Sequence, residues 1–320
     1  NLKILLAGAN ARGGIQETDR DGILRSVTPA VCAQVLRDNY LQGCVLTIEE
    51  RRGVLALDEH RFLIEELCAA KLLSRAVERI PDDSEILRLR DSRMGLTRPQ
   101  LAVLLAYAKI DAYVKVLASR LPDEQDLEAY LVEYFPREVS SRFLEDVHGH
   151  RLRREIAATA AVNDAINTLG ISFFHGTARR TGVPFQAIQR AFLAASGLCG
   201  LRAFQKAMDE LYAGGFAEMD AFYRGLERFQ AAMDAVIRGV IRRGLANRPA
   251  PAVIAEYAEK TSGRADLAAQ PRPGAKSSLP EPVIRQIQRA ERAAEQMDIA
   301  DLRAGTAVDA VTAAAVWDEA

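Results

Sequence analysis

Aromatic side chains are scarce in this chain: they make up 6% of its 320 residues, and tryptophan occurs once. A core short of aromatics must be built from aliphatic side chains. Here the apolar residues lean on Ala and Leu, which favours helix packed on helix. Neither sign of charge is in excess, since 42 Lys and Arg against 43 Asp and Glu leave a net charge of −1. Such a chain has no long-range field with which to gather nucleic acid or an anionic membrane. No apolar run approaches the roughly 20 residues that a membrane span requires, and no secretory signal opens the chain. Cysteine is limited to Cys32, Cys44, Cys68 and Cys199. They form no CxxC pair and no metal spacing, so they read as small hydrophobes in a reducing cytoplasm.

Recognised catalytic patterns are missing as well. A dinucleotide site needs a strand, a G-x-G-x-x-G turn into a helix, and an acid about 20 residues further on. The nearest stretch, Gly8-Ala-Asn-Ala-Arg-Gly-Gly14, has the wrong spacing and reads as a loop. No Gly-Lys-Ser/Thr phosphate loop occurs, and no motif assembles Ser, His and Asp. Of the four histidines, only His148 and His150 stand close together. They lack the i, i+4 spacing of a helical metal pair, so they read as two solvated loop side chains.

What remains is helical pattern, with no sustained alternation of the kind a strand would show. The fold class predicted is mainly α, a multi-helix assembly with no substantial sheet. Over 1–95 the patterns are short and separated by breakers. Ala7 to Gln16 is expected as loop, and Thr28-Pro29 as a helix start with proline in the first turn. Residues 96–248 are the clearest helical domain. Thr97-Arg-Pro-Gln100 is a capping box, and the helix after it is apolar on two faces. Leu101, Leu104, Leu105, Ala108 and Ala112 form one; Val103, Tyr107, Ile110 and Val114 form the other. A helix of that kind is expected to lie buried between neighbours. Another long helix runs from near His150 to Leu169 and stops at Gly170. Phe222, Leu226, Phe229, Met233, Ile237 and Ile241 then stripe a third. Residues 249–282 carry Pro249, Pro251, Pro271, Pro273, Pro280 and Pro282 and read as a proline-rich connector. Residues 283–320 read as the start of further helices. Both ends of the chain, Asn1-Leu-Lys-Ile-Leu-Leu6 and Thr312 to Ala320, read as cut through an element.

The residues singled out are candidates for helix packing or interdomain contact, not for catalysis, cofactor binding or metal binding. Asp111 and Lys115 stand at i, i+4 with the acid first, the favourable order for a pair. Arg154 belongs to Arg151-Leu-Arg-Arg154 at a helix start. Cations are disfavoured there by the helix dipole, so acidic partners are expected, with Asp146 and Glu155 at hand. Asn163 and Asn167 lie one turn apart on the stripe that Leu152 and Ile156 begin, together with Thr159. A buried unpaired amide costs about 1–3 kcal/mol. These asparagines therefore read as a helix–helix hydrogen-bond network, or else as a polar contact to another domain of a larger enzyme.

Several longer words resemble one family. Val35-Leu-Arg-Asp-Asn-Tyr-Leu-Gln42, His150-Arg-Leu-Arg-Arg-Glu-Ile156, Asn163-Asp164, Thr181-Gly182, Ala191-Phe-Leu-Ala-Ala195 and Asn247-Arg-Pro249 are similar to segments of the large bacterial NAD-specific glutamate dehydrogenases. The most specific is Gly95-Leu-Thr-Arg-Pro-Gln-Leu-Ala-Val-Leu-Leu-Ala-Tyr-Ala-Lys-Ile110. The resemblance runs in order from Asn1 to about Arg272 and fades through the prolines. It implies a parent enzyme that converts L-glutamate, water and NAD into 2-oxoglutarate, ammonium and NADH. It also implies that the catalytic lysine, acid and nucleotide glycines lie upstream of this helical region. On that reading 1–95 is the tail of a catalytic domain followed by a helical connector. NAD would be bound by the parent enzyme and not by this piece, whose partners would be the upstream catalytic domain and other subunits of a homo-oligomer. The competing reading is a free-standing all-helical interaction or oligomerisation module without activity. A helical DNA-binding regulator ranks third, because the helix after Arg98 is too apolar on every side to lie in a groove.

Overall fold

The computed structural model describes residues 1–262 and 278–305, and among these every regular element is a helix. The chain forms two compact units, one over Asn1–Arg180 and a second beginning at Thr181.

The first unit opens with α1 (Leu2–Ala11), which buries Leu5, Leu6 and Ala9. The loop expected from Ala7 is thus confined to the few residues after α1. Next comes α2 (Glu17–Arg52), a single helix of 36 residues that runs straight through Pro29. Proline has no N–H to give and its ring crowds the preceding turn. Nearby, Thr28 Oγ1 donates to the Leu24 carbonyl at 2.7 Å and Ser26 Oγ to that of Ile23 at 2.9 Å. Pro29 is therefore an interior residue of a longer helix, not a helix start, on a stretch whose side chains are mostly exposed. The buried end of α2 carries Cys44, Val45, Ile48 and Glu49.

Three further helices, α3 (Leu57–Ala69), the short α4 (Arg75–Glu78) and α5 (Asp83–Asp91), lead to α6 (Arg98–Leu117). The capping box is present: the Thr97 N–H donates to Gln100 Oε1 at 2.9 Å. Leu101, Leu104, Leu105, Ala108, Ala112 and Val116 are buried, and α6 packs on α2, α3 and a later helix, α10 (Arg153–Leu169). The boundary expected near residue 95 is accordingly not a division of the fold. The apolar face of α6 is covered by helices from 1–95, because an aliphatic stripe that wide needs neighbours on more than one side. The opposite face is covered only in part: Val103 and Tyr107 are half-buried, while Ile110 and Val114 remain about half exposed, at 48% and 52%. Between α6 and α10 lie α7 (Glu128–Glu133), α8 (Arg137–Arg142) and α9 (Leu144–His148). α10 ends at Gly170 (φ 97°), and α11 (Phe173–Thr181) follows the corner.

The second unit contains α12 (Phe185–Cys199), α13 (Leu201–Ala213), α14 (Met219–Arg242), α15 (Ala250–Ser262) and α16 (Glu281–Gly305). Phe222, Phe229, Met233 and Ile237 of the expected stripe are fully buried. The rings of Phe204 and Phe229 stack with centroids 3.8 Å apart. Close approach depends on glycine: a Cβ at Gly239 would lie 2.9 Å from Met297 Cβ, and one at Gly197 would lie 2.4 Å from Ile254 Cδ1. Four of the six prolines between 249 and 282 sit at the starts of α15 and α16, where a missing N–H costs nothing. Much of 249–262 is thus helix, not connector, and α16 packs on α14 within the same unit. The expected 96–248 domain therefore straddles the boundary between the units and stops short of helices that complete the second one. Pro271, Pro273 and the register expected from Thr312 to Ala320 lie outside the described residues.

Candidate functional site

The polar chemistry of the first unit gathers where α2, α3, α6 and α11 present buried ionisable groups. Glu49 and His60 are each 1% exposed. Glu49 lies on the last buried turn of α2, and His60 on the buried face of α3 with Leu57, Leu63, Ile64 and Leu67. Glu49 Oε2 lies 3.2 Å from His60 Nε2 and accepts from Arg52 Nη1 at 3.2 Å. Its other oxygen, Oε1, accepts the backbone N–H of Ile171 at 3.1 Å. Burial pushes the Glu49 carboxyl up. The His60 hydrogen bond and charge, the Arg52 charge and the Ile171 N–H together outweigh burial and hold it below its ordinary 4.5. An ionised carboxylate only accepts, so His60 Nε2 carries the hydrogen between them. Arg52 reaches on to Glu59 at 2.8 Å, which ties the cluster to α3 a second time.

A similar pair joins α6 to α11. Asp111 is 4% exposed and His175 3%. His175 Nε2 lies 2.8 Å from Asp111 Oδ2, and Lys115 Nζ donates to the same oxygen at 2.5 Å. Burial raises the Asp111 carboxyl, while His175 and Lys115 draw it below its ordinary 3.8. The i, i+4 pair of Asp111 and Lys115 forms as its spacing suggested, but it is the outer part of a buried triad. The corner between α10 and α11 is thus fastened by two carboxylates from different helices. Gly170 makes this possible: its φ of 97° favours glycine, and a Cβ there would stand 2.7 Å from Glu49 Oε1.

Arg154 is held differently from the sequence expectation. Its Nη2 donates to the carbonyls of Leu117 at 2.9 Å and Ser119 at 3.0 Å, and its Nη1 pairs with Asp123. Asp146 and Glu155 are not its partners. The guanidinium instead closes the end of α6, where unpaired carbonyls and the negative end of the dipole favour a cation.

Asn163 and Asn167 are half-buried, and Thr159 is exposed. The buried face of α10 is Ile156, Ala157, Ala158, Ala161, Val162, Ala165, Ile166 and Thr168, rotated away from the expected stripe. The two asparagines do not bond to each other, and Asn167 Oδ1 is shielded from solvent without a hydrogen-bond partner. On the same helix Asp164, not an asparagine, makes a side-chain contact to α7, accepting from Tyr130 Oη at 2.6 Å.

His148 is exposed beside Glu128. His150, by contrast, is 3% exposed: Nδ1 accepts the Leu152 N–H at 3.1 Å, and Nε2 faces the Asn1 carbonyl at 3.2 Å. The reading of two solvated histidines fails for His150, which a tight turn folds back under α1. Burial, together with nearby positive charge, keeps His150 below its ordinary 6.5.

Glu49, His60 and His175 were not found by sequence reasoning. Their partners lie 11, 64 and 122 positions away, and no local spacing marks them. Among the described residues no group of three His, Cys, Asp or Glu side chains converges as around a metal ion. No helix there is long and apolar enough to cross a membrane. The basic cluster at the end of α14 is paired as well: Arg238 to Asp234 at 2.6 Å, Arg242 to Asp298 at 3.2 Å, and Arg243 to Tyr257 Oη at 2.5 Å.

Comparison with known proteins adds the family. The protein-family model described as "Glutamate dehydrogenase, C-terminal" matches residues 93–319. The NAD-specific glutamate dehydrogenase of Mycobacterium tuberculosis is 33% identical over 202 residues, which is 63% of this chain and 12% of that protein. The protein of the same description from Pseudomonas aeruginosa is 35% identical over 193 residues, 60% of this chain and 12% of the relative. That from Halomonas elongata is 33% identical over 195 residues, 61% and 12%. The matched part thus spans about an eighth of each curated relative's length.

Proposed function

We propose, for a chain that belongs to the glutamate dehydrogenase C-terminal family, that it is a helical, non-catalytic part of an NAD-dependent glutamate dehydrogenase. The parent reaction is oxidative deamination of L-glutamate to 2-oxoglutarate and ammonium with reduction of NAD. One observation carries the non-catalytic assignment. The buried acids of the first unit are spent on their own neighbours, Glu49 on His60, Arg52 and Ile171, and Asp111 on His175 and Lys115. Side chains closed on each other in this way hold helices together and present no acid or base to a substrate.

On this reading NAD is bound elsewhere in the enzyme, and these helices pack on the preceding catalytic part within a homo-oligomer. The exposed Val31, Val35 and Leu36 of α2 support such packing, since apolar side chains in one stretch of helix favour cover. The four cysteines, none of which is joined in a disulfide, support a reducing, cytoplasmic setting.

The test is NADH production from L-glutamate and NAD by this chain alone and by a version extended upstream through the catalytic part. Activity in the extended protein only is the expected result. Activity in this chain alone would place an active site among these helices and overturn the assignment. Activity in neither would move it to a free-standing interaction module.

A further inference from the structure

Ala102, Ala106, Ile110, Tyr113 and Leu117 recur every three or four positions and so share one stripe along the outer side of α6. Ala102 and Ala106 are exposed, Ile110 is 48% exposed, and Tyr113 and Leu117 are half-buried. Val114 widens the stripe. Val77 of α4 lies beside it, 75% exposed, next to the Glu78 that accepts from Tyr107 Oη at 2.7 Å. None of the four charged side chains of α6 lies on the stripe. Arg98 is turned to Thr47 Oγ1 and the Gly43 carbonyl of α2, at 3.2 and 3.3 Å, and Asp111 is buried against Lys115 and His175. Lys109 stands at the edge, where the charge of Asp38 on α2 reaches it.

The outer side of a surface helix is ordinarily polar, so about four turns without a charge form a face suited to being covered. Its shape points to the cover. The side chains are small toward the start of the helix, Ala102 and Ala106, and bulky toward its end, Tyr113 and Leu117, with Ile110 between. Against a second α6 turned end for end about Ile110, each small residue meets a large one: Ala106 meets Tyr113, and Ala102 meets Leu117, twice over. A parallel pairing would set alanine on alanine and tyrosine on tyrosine, with gaps at one end and crowding at the other. Charge agrees with the antiparallel arrangement. The stripe brings no like charges together, and at its middle edge each copy offers one cation, Lys109, and one exposed anion, Asp38. A two-fold axis there sets the cation of one copy toward the anion of the other.

We propose that the outer face of α6 is a two-fold interface with a second copy of this chain, the two helices crossing antiparallel about Ile110. The proposal rests on the reading of these helices as part of a homo-oligomer, and it is read out by association, not by activity. Ile110 sits at the centre of the seam, and Val77 and Lys109 stand at its rim. Because the axis repeats every contact, a single substitution on the stripe is felt twice.

The test begins with sedimentation equilibrium of the whole chain, whose protomer mass is 35.1 kDa. A dimer is expected. Ile110→Asp, with helical signal unchanged, is expected to weaken it by about a hundredfold or more, because a carboxylate is then buried twice across the axis. A chain that is monomeric at every concentration would overturn the proposal. So would a dimer that Ile110→Asp leaves intact, or that Leu36→Asp on α2 breaks in its place. Cross-linking then reads the geometry. In a Cys32→Ser background, Ile110→Cys is treated with a short bis-maleimide beside Leu144→Cys, an exposed position on α9 away from the stripe. Covalent dimers from Ile110→Cys and few from Leu144→Cys are expected, and equal yields would overturn the interface. The same two variants are then made in the enzyme extended upstream. Dimers through Ile110→Cys there support the proposal. Their loss there, with the chain alone still dimeric, would show that the preceding part covers α6 and would overturn it. NADH production by the extended enzyme is measured separately, so a failed interface and a failed enzyme assignment are told apart.

Discussion

Glu49 Oε1 accepts the backbone N–H of Ile171 at 3.1 Å across 122 positions of sequence. One carboxylate thereby fixes where α10 ends and α11 begins, while its second oxygen is shared by His60 and Arg52. The bond is buried at both ends, where an amide left without an acceptor costs about 1–3 kcal/mol.

Glu49→Gln keeps the shape of the side chain and one acceptor oxygen for Ile171. It also sets an NH2 group against the His60 N–H and the Arg52 guanidinium, donor against donor. Removing one partner of a buried pair typically costs about 3–5 kcal/mol, and that is the expected loss in a urea titration followed by helical signal. A loss below about 1 kcal/mol would show that the cluster does not hold the corner.

Acid should loosen the first unit in two stages. The folded His150 is held below its ordinary 6.5, so its contribution is complete above that value and is lost as pH falls beneath it. Glu49 and Asp111 are held below their ordinary 4.5 and 3.8, so their contributions are complete above those values and vanish as protonation overtakes the folded state. Unfolding midpoints measured from pH 8 to pH 3 should fall first below about 6.5 and then more steeply below about 4.5. His150→Gln should remove the first stage and leave the second. A flat profile down to pH 4 would contradict the burial of His150.

Two glycines, Gly170 at a corner and Gly239 inside α14, are expected to resist even alanine. Gly170→Ala forces φ 97° on a residue with a Cβ that would press on Glu49 Oε1. Gly239→Ala gains helix propensity worth up to about 1 kcal/mol, but its Cβ would meet Met297 Cβ at 2.9 Å, an atom fixed to the backbone. Overpacking of that kind costs about 1–3 kcal/mol, so both variants should unfold at lower denaturant. Gly13→Ala, with no neighbour within 4 Å but φ 76°, serves as the comparison in which only conformation is strained. Should Gly239→Ala prove more stable than the parent, the closeness of α14 and α16 would be wrong.

Thiol reactivity should separate the cysteines. Cys32 is exposed, whereas Cys44 and Cys199 are buried. Burial pushes the Cys199 thiol up to about 12, with Arg289 opposing it only in part. A disulfide reagent at pH 8 should give a fast phase that Cys32→Ser abolishes, and Cys199 should label only on unfolding. Labelling of Cys199 at the rate of Cys32 would refute its burial.

Helices were readable in this sequence wherever a local rule governs them. The capping box at Thr97 and Gln100, the stop at Gly170 and the stripe from Phe222 to Ile241 each depend on residues within a few turns, and each stands in the structure. Pro29 misled because a proline at a helix start and a proline inside a helix share the same neighbours in sequence. Only the length of α2 on both sides distinguishes them. Asn163 and Asn167 misled because a polar residue rotated by a fraction of a turn leaves the buried face, and the sequence stripe could not fix the rotation of α10. The clusters around Glu49 and Asp111 were beyond reach, since their members come from separate helices and only tertiary packing brings them together.

The long reach of Glu49 bears on how this region could be cut. The family match begins at residue 93, yet the first unit extends from Asn1 to Arg180. A protein started at 93 would keep α6, α10 and α11 but lose Glu49, His60 and the helices that cover Leu101 and Leu104. The Ile171 amide would then lose its carboxylate acceptor. The stretch matched by the family model is therefore shorter at its leading edge than the unit that folds together.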